Sequence, residues 1–203
     1  MSTEMRPFSA AAERNRIPIA QVLERVLRGS GTLLEIGAGT GQHAVHCACL
    51  LPQWNWLPSE HPAALSSLQQ GLAGDLPENL RDPIELDVTG AWPDECFDAI
   101  YSANTAHIMP AEAVEAMFQG VGAHLTPGGR FLLYGPFMRD GRHHAASNEE
   151  FDASLRRRDP AMGIRDLVWI DRIAAGSGLV RIAELALPAN NHMLIFEPGT
   201  SVQ

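Results

Sequence analysis

The chain has 203 residues with 24 acidic and 15 basic side chains, a formal net charge of −9, and every one of its basic side chains is arginine. Its content, 45% hydrophobic and 19% charged, excludes intrinsic disorder, and its acidity without basic clusters argues against nucleic acid as a partner. No apolar run approaches the roughly 20 residues that span a bilayer, and the charged N-terminus lacks an apolar signal segment, so a cytoplasmic protein away from membranes is expected.

In chain order, Met1 to Asn15 read as a polar arm, and the spacing of Ile19, Val22, Leu23, Val26 and Leu27 predicts an amphipathic helix over 17–27. A buried strand follows over 32–36, then the glycine turn 37–41, a helix over 43–51 and a second strand over 54–59 with Glu60 at its end. A helix over 62–72 leads to a short strand over 84–88, and a fourth strand over 97–102 turns polar at Ser102, Asn104 and Thr105. A helix over 112–125 stops at Thr126-Pro127-Gly128-Gly129, and a fifth strand occupies 130–134. Then come a polar insert over 138–148, helices over 149–158 and 164–177, and two strands, 180–187 and 192–196. These last two are joined by Pro188-Ala189-Asn190-Asn191 as an antiparallel hairpin. Strands alternating with helices predict an α/β fold: a seven-stranded, mostly parallel sheet with one antiparallel strand and helices on both faces, in a single domain over 1–203 with its core at 30–197.

Four isolated features read as structural. Arg156-Arg157-Arg158 fits a solvated helix face. Cys47, Cys49 and Cys96 form no C-x-x-C pair and fit reduced thiols. His143-His144 lacks a third ligand at helical spacing, so no metal is expected. The four tryptophans fit packing roles.

The chemistry concentrates at Glu35-Ile36-Gly37-Ala38-Gly39-Thr40-Gly41. A strand, a bend without side chains and a helix N-terminus make a cradle for a nucleoside-type ligand. The spacing G-x-G-x-G differs from the dinucleotide fingerprint G-x-G-x-x-G, although an NAD(P) oxidoreductase and a non-catalytic nucleoside-binding protein stay as alternatives. With Glu35 ahead of it, the turn resembles motif I of class I S-adenosylmethionine-dependent methyltransferases, and Leu125-Thr126-Pro127-Gly128-Gly129 resembles that superfamily's L-x-P-G-G turn. Arg6-Pro7-Phe8-Ser9, Ala12-Glu13-Arg14-Asn15, Tyr134-Gly135-Pro136-Phe137, Phe151-Asp152-Ala153-Ser154-Leu155, Asp159-Pro160 with Gly163-Ile164-Arg165-Asp166, and Pro188-Ala189-Asn190-Asn191 together resemble the DUF938 family, a bacterial relative of methyltransferase-like protein 26.

The resemblance implies a Rossmann-like methyltransferase fold with S-adenosylmethionine as cofactor and S-adenosylhomocysteine as product. It implies Gly37, Ala38, Gly39 and Gly41 along the nucleoside, Glu35 towards the cationic methionine end, Glu60 on the ribose hydroxyls with His61 beside it, and Asp87-Val88 at the adenine. Asn104 is expected to serve cofactor or acceptor, and His107 is the candidate general base, with a hydrogen-bonded loop histidine as the alternative. Ligands in such sheets bind beyond the strand C-termini, which brings Tyr134, Phe137, Asn190 and Asn191 into consideration for the acceptor. Tyr134 also fits strand core, and the two asparagines a plain turn. Glu13, Arg14 and Asn15 are assigned to the acceptor as well, on an arm closing as a lid. The expected partner is a small-molecule acceptor, with a homodimer left open.

Overall fold

The computed structural model describes residues 6–199. The chain forms two compact units, Met1–Asp87 and Val88–Gln203. Its seven main strands belong to one mostly parallel sheet, running β3-β2-β1 through the first unit and β4-β5-β9-β8 through the second; β6 and β7 form a separate pair.

The first unit contains α1 (Ala10–Val26), β1 (Gly31–Ile36), α2 (Gln42–Leu50), β2 (Trp54–Glu60), α3 (Leu65–Gly71) and β3 (Ile84–Glu85). In β1 the apolar run is buried from Leu33 through Ile36, as expected of a central parallel strand. It pairs in parallel with β2, placing Glu35 opposite Pro58 and Ile36 opposite Ser59, and β2 pairs with β3 through Glu60 opposite Glu85. α2 buries His43, Ala44, Cys47 and Ala48, one stripe at three-and-four spacing. The amide of Asn79 donates to the carbonyls of Ala48, Leu51 and Trp54 and so closes the α2–β2 connection.

The arm expected over 1–16 is corrected from residue 10 onward: α1 begins at Ala10 rather than at Ile17, while Met1 to Met5 lie outside the described residues. The physical reason is a cap. Ser9 is extended, and its hydroxyl accepts from the Ala12 N–H at 3.2 Å, satisfying one of the orphan donors of the first turn. The helix then runs through Pro18.

The second unit contains β4 (Phe97–Ala103), α4 (Ala111–His124), β5 (Leu125–Gly135), β6 (Phe137–Met138), α5 (Ala146–Arg158), β7 (Arg165–Asp166), α6 (Leu167–Gly176), β8 (Leu179–Leu187) and β9 (Asn191–Pro198). Phe118, Phe131 and Phe196 form its aromatic centre, with ring centroids 5.3, 5.4 and 5.7 Å apart. β5 starts five residues before the expected strand, because Leu125 pairs with Phe97 and Arg130 with Ala99, with the 126–129 turn looped out between them as an irregularity. β9 is antiparallel to both β5 and β8. The two-residue strands β6 and β7 pair in parallel, Phe137 with Arg165 and Met138 with Asp166. The hairpin turn places Ala189 and Asn190 in the left-handed region, at φ 60 and 57°.

Among the described residues six α-helices are present, and no helix is long and apolar enough to cross a membrane. No group of three or more His, Cys, Asp or Glu among them is close enough to hold a metal ion. Cys47 is buried, and Cys49 and Cys96 are exposed.

Candidate functional site

In the first unit, β1 ends at Ile36 and the chain bends through Gly37, Gly39 and Gly41 at φ 70, 62 and 75°. The Ala38 N–H donates to the Ser59 carbonyl at 2.9 Å, tying the bend to β2, and the Gly41 N–H donates back to the Ala38 carbonyl at 2.9 Å. Gly41 is the N-cap of α2, and a Cβ there would lie 2.6 Å from Leu72 Cδ2. Gly39 has nothing within 4 Å of its Cβ position, so what it requires is the left-handed backbone and an open face.

Glu60 is aimed at this bend. Its Oε2 accepts from the Gly39 N–H at 2.6 Å and its Oε1 accepts from the His61 N–H at 2.8 Å. His61 Nδ1 accepts from the Ala63 N–H at 3.2 Å, and Nε2 lies 3.8 Å from Asp87 Oδ2. Gly39, Glu60, His61 and Asp87, all expected from the sequence, therefore form one polar line. A carboxylate accepting two N–H groups keeps further lone pairs for a sugar diol. The residues present fit an adenosyl group on that ground.

Glu35 stands differently from the expected charged partner. It is buried, Trp56 Nε1 donates to its Oε2 at 2.7 Å, and Ser59 Oγ donates to its backbone carbonyl at 2.7 Å. Burial pushes its pKa up to about 8; the Trp56 bond opposes the shift and the charge of Glu60 adds to it. At pH 7 this carboxyl is neutral until a cation approaches it.

The start of α1 docks on the start of α2. The Ser9 N–H and the Thr40 hydroxyl both donate to Gln42 Oε1, Gln42 Nε2 donates to Glu13 Oε2 at 3.2 Å, and Asn15 Oδ1 lies 2.8 Å from His43 Nε2. Glu13 also pairs with Arg16 at 2.8 Å, and Arg14 is exposed. Two of the three arm residues assigned to the acceptor thus hold α1 against α2. Gln42 and His43, which receive them, were missed; their place directly after the last glycine was the available signal.

In the second unit, Val88 is buried and its carbonyl accepts from Trp92 Nε1 at 3.2 Å. Asn104 is left-handed (φ 59°), with its N–H donating to the Tyr134 carbonyl at 2.9 Å where β4 and β5 end. Tyr134 and Phe137 are buried. His107 is buried as well, with its ring edge-on to Phe151 at 5.3 Å, and burial followed by the charge of Arg165 lowers its pKa to about 4. Its ring faces Gly135: a Cβ on that glycine would lie 3.6 Å from His107 Nδ1.

Arg165 holds the loop around this histidine by donating to the carbonyls of Ala106, Met109 and Ala161. Sequence reading did not single it out, since nothing local marks an arginine that will bond distant carbonyls. The hairpin asparagines serve the turn: Asn191 Nδ2 donates to the Pro188 carbonyl, Asn148 Nδ2 donates to the Asn190 carbonyl, and Asn190 Nδ2 to Ser147 Oγ.

The family described as "Protein of unknown function (DUF938)" matches residues 6–198. Among solved structures, an O-methyltransferase family protein from Burkholderia thailandensis is similar at a TM-score of 0.79 and 18% identity, covering 94% of this chain and 58% of that one. Human N-acetylserotonin methyltransferase in complex with SAM is similar at a TM-score of 0.77 and 16% identity, covering 94% and 53%. The pyocyanin biosynthetic protein PhzM is similar at 0.78 and 12%, covering 93% and 56%. The chain spans a little over half the length of these three proteins, and the likeness establishes a Rossmann-like methyltransferase fold.

Proposed function

The chain belongs to the DUF938 family, and from that premise we propose that it is an S-adenosylmethionine-dependent methyltransferase acting on a small-molecule acceptor. The observation that carries this reading is the Glu60 carboxylate turned onto the Gly39 N–H at 2.6 Å, beside a bend with no side chain in the way. When bound, the cofactor supplies an electrophilic methyl group on a sulfonium sulfur.

The chain's own residues then have distinct tasks. Glu60 takes the ribose hydroxyls, and the open backbone at Gly39 lets the adenosyl group approach. Asp87, steadied by His61, accepts from the adenine amino group. Glu35 would hold the cationic methionine end, because an opposite charge nearby favours the ionised carboxylate. Methyl transfer is an in-line displacement, so alignment supplies most of the rate. Where the acceptor carries a proton, His107 is the residue assigned to take it: burial keeps the ring neutral at pH 7, which frees a lone pair and also weakens it as a base.

Calorimetry with S-adenosylmethionine and S-adenosylhomocysteine tests the reading. Both are expected to bind in the micromolar range, and Glu60→Gln and Gly39→Val each to weaken binding at least tenfold, about 1.4 kcal/mol. Absence of binding by the unmodified chain overturns it.

A further inference from the structure

Five residues past the end of β5 the chain reverses tightly at Asp140 and Gly141, both left-handed at φ 51 and 71°. The backbone N–H groups of Arg139 and Arg142 each donate to the other's carbonyl at 3.0 Å, so the two arginines stand directly opposite one another and leave the turn on the same face. The reversal is fixed from below. The Gly141 N–H donates to Asp166 Oδ2 at 2.6 Å, and the other oxygen of Asp166 caps α6 by accepting from the Val168 N–H at 2.8 Å.

Arg139, Asp140, Arg142, His143 and His144 line a cavity of about 460 Å³, within the range of small-molecule sites. Two guanidiniums and two imidazoles there meet the single carboxylate of Asp140. Arg139 is already engaged by Glu184 at 2.7 Å, which also accepts from Arg181 at 2.8 Å. Arg142 makes no ion pair among the described residues. His143 Nδ1 is buried without a hydrogen-bond partner, while its Nε2 lies 3.6 Å from Asp152 Oδ2. The ring of His144 lies 5.4 Å from that of His192. In a chain of net charge −9, the exposed guanidinium of Arg142 stands without an ion pair on the same lining as an unpartnered buried imidazole nitrogen, a combination suited to negative charge.

Two paths connect this cavity to His107. His192 pairs with Gly135, the residue that the His107 ring faces. Asp152, next to His143, accepts from the Ile164 N–H at 2.6 Å, and the adjoining Gly163 N–H donates to the His107 carbonyl at 2.9 Å. Residues beside the cavity thus also touch residues beside His107.

We propose that the cavity holds an anionic group of the methyl acceptor, a carboxylate or a phosphate on a small molecule, with Arg142 as its counter-charge and His143 and His144 as further donors. This rests on the reading of the protein as a methyltransferase, which the test keeps separate. The full-length chain is titrated calorimetrically with inorganic phosphate, with malonate and, in parallel, with S-adenosylhomocysteine. At least one anion is expected to bind saturably, at least tenfold more weakly to Arg142→Gln and within threefold of wild type to Arg142→Lys, with S-adenosylhomocysteine affinity unchanged in both variants. The tighter of the two anions identifies the group. The inference is overturned if neither anion binds the unmodified chain, or if Arg142→Gln binds as well as wild type. Arg142-dependent anion binding without any S-adenosylhomocysteine binding supports the anion site and sinks the methyltransferase reading.

Discussion

Single residues in the bend carry separable burdens. Gly41 combines a left-handed backbone (φ 75°) with a Cβ position 2.6 Å from Leu72 Cδ2, whereas Gly39 has open space around it. Gly41→Ala is therefore expected to cost stability, roughly 1–3 kcal/mol in urea unfolding from strain plus the displaced leucine. Gly39→Val meets no clash but forces a β-branched residue into the left-handed region (φ 62°), so it is expected to cost stability as well as ligand approach. The polar line at the bend was legible because its pattern is local: a short glycine pattern, then Glu60 at the end of β2 and Asp87 just after β3. The polar residues of the second unit were less so. Asn190 and Asn191 looked available for an acceptor, but the turn consumes Asn191 locally and α5 claims Asn190 through Asn148 and Ser147, more than forty positions away in the chain. Arg142 and the buried nitrogen of His143 offered no signal beyond residue type, since their surroundings exist only once the 139–142 reversal has formed.

At the scale of elements, periodicity located most strands and the later helices, because each buries a stripe or a run that shows in the sequence. It failed at the start of α1, where the first two turns bury little and are held by a cap and by the polar contacts to Gln42 and His43. It also failed at β6 and β7, two residues each, too short for any period to register. Pro18 sits in the ninth position of α1, where a proline removes one backbone hydrogen bond and crowds the preceding turn, at a cost near 3 kcal/mol in an isolated helix. Pro18→Ala is expected to raise the urea midpoint, by roughly 1–3 kcal/mol in unfolding free energy, leaving far-ultraviolet circular dichroism unchanged. A fall in the midpoint would show that the surrounding structure needs a proline at this position.

For the molecule as a whole, three buried groups set a pH profile. His43 and His107 have folded pKa values of about 4 against an ordinary 6.5, so the unfolded chain binds protons that the folded chain refuses between those values. Stability from both histidines is complete above pH 6.5 and is lost as pH falls towards 4. Glu35 works in the opposite direction: with a folded value of about 8 against 4.5, it contributes stability that is full below pH 4.5 and declines until pH 8. Two rising contributions outweigh one falling contribution up to pH 6.5, after which only the fall remains. Thermal unfolding is expected to show a maximum near pH 6.5, with about 2 kcal/mol lost by pH 8, and Glu35→Gln to flatten the alkaline side. A profile that climbs steadily to pH 8 would rule out the neutral carboxyl beneath the bend.

The placement of the thiols has a practical side. Cys47 lies inside the first unit, where burial makes its thiolate inaccessible to pH 7 chemistry, but Cys49 and Cys96 stand at the surface, one on each unit. With no lysine anywhere in the chain, amine-directed dyes find only the α-amino terminus while maleimides find these two sulfurs. This chain thus offers two native attachment points for thiol-directed labels, one on each unit, without altering a residue.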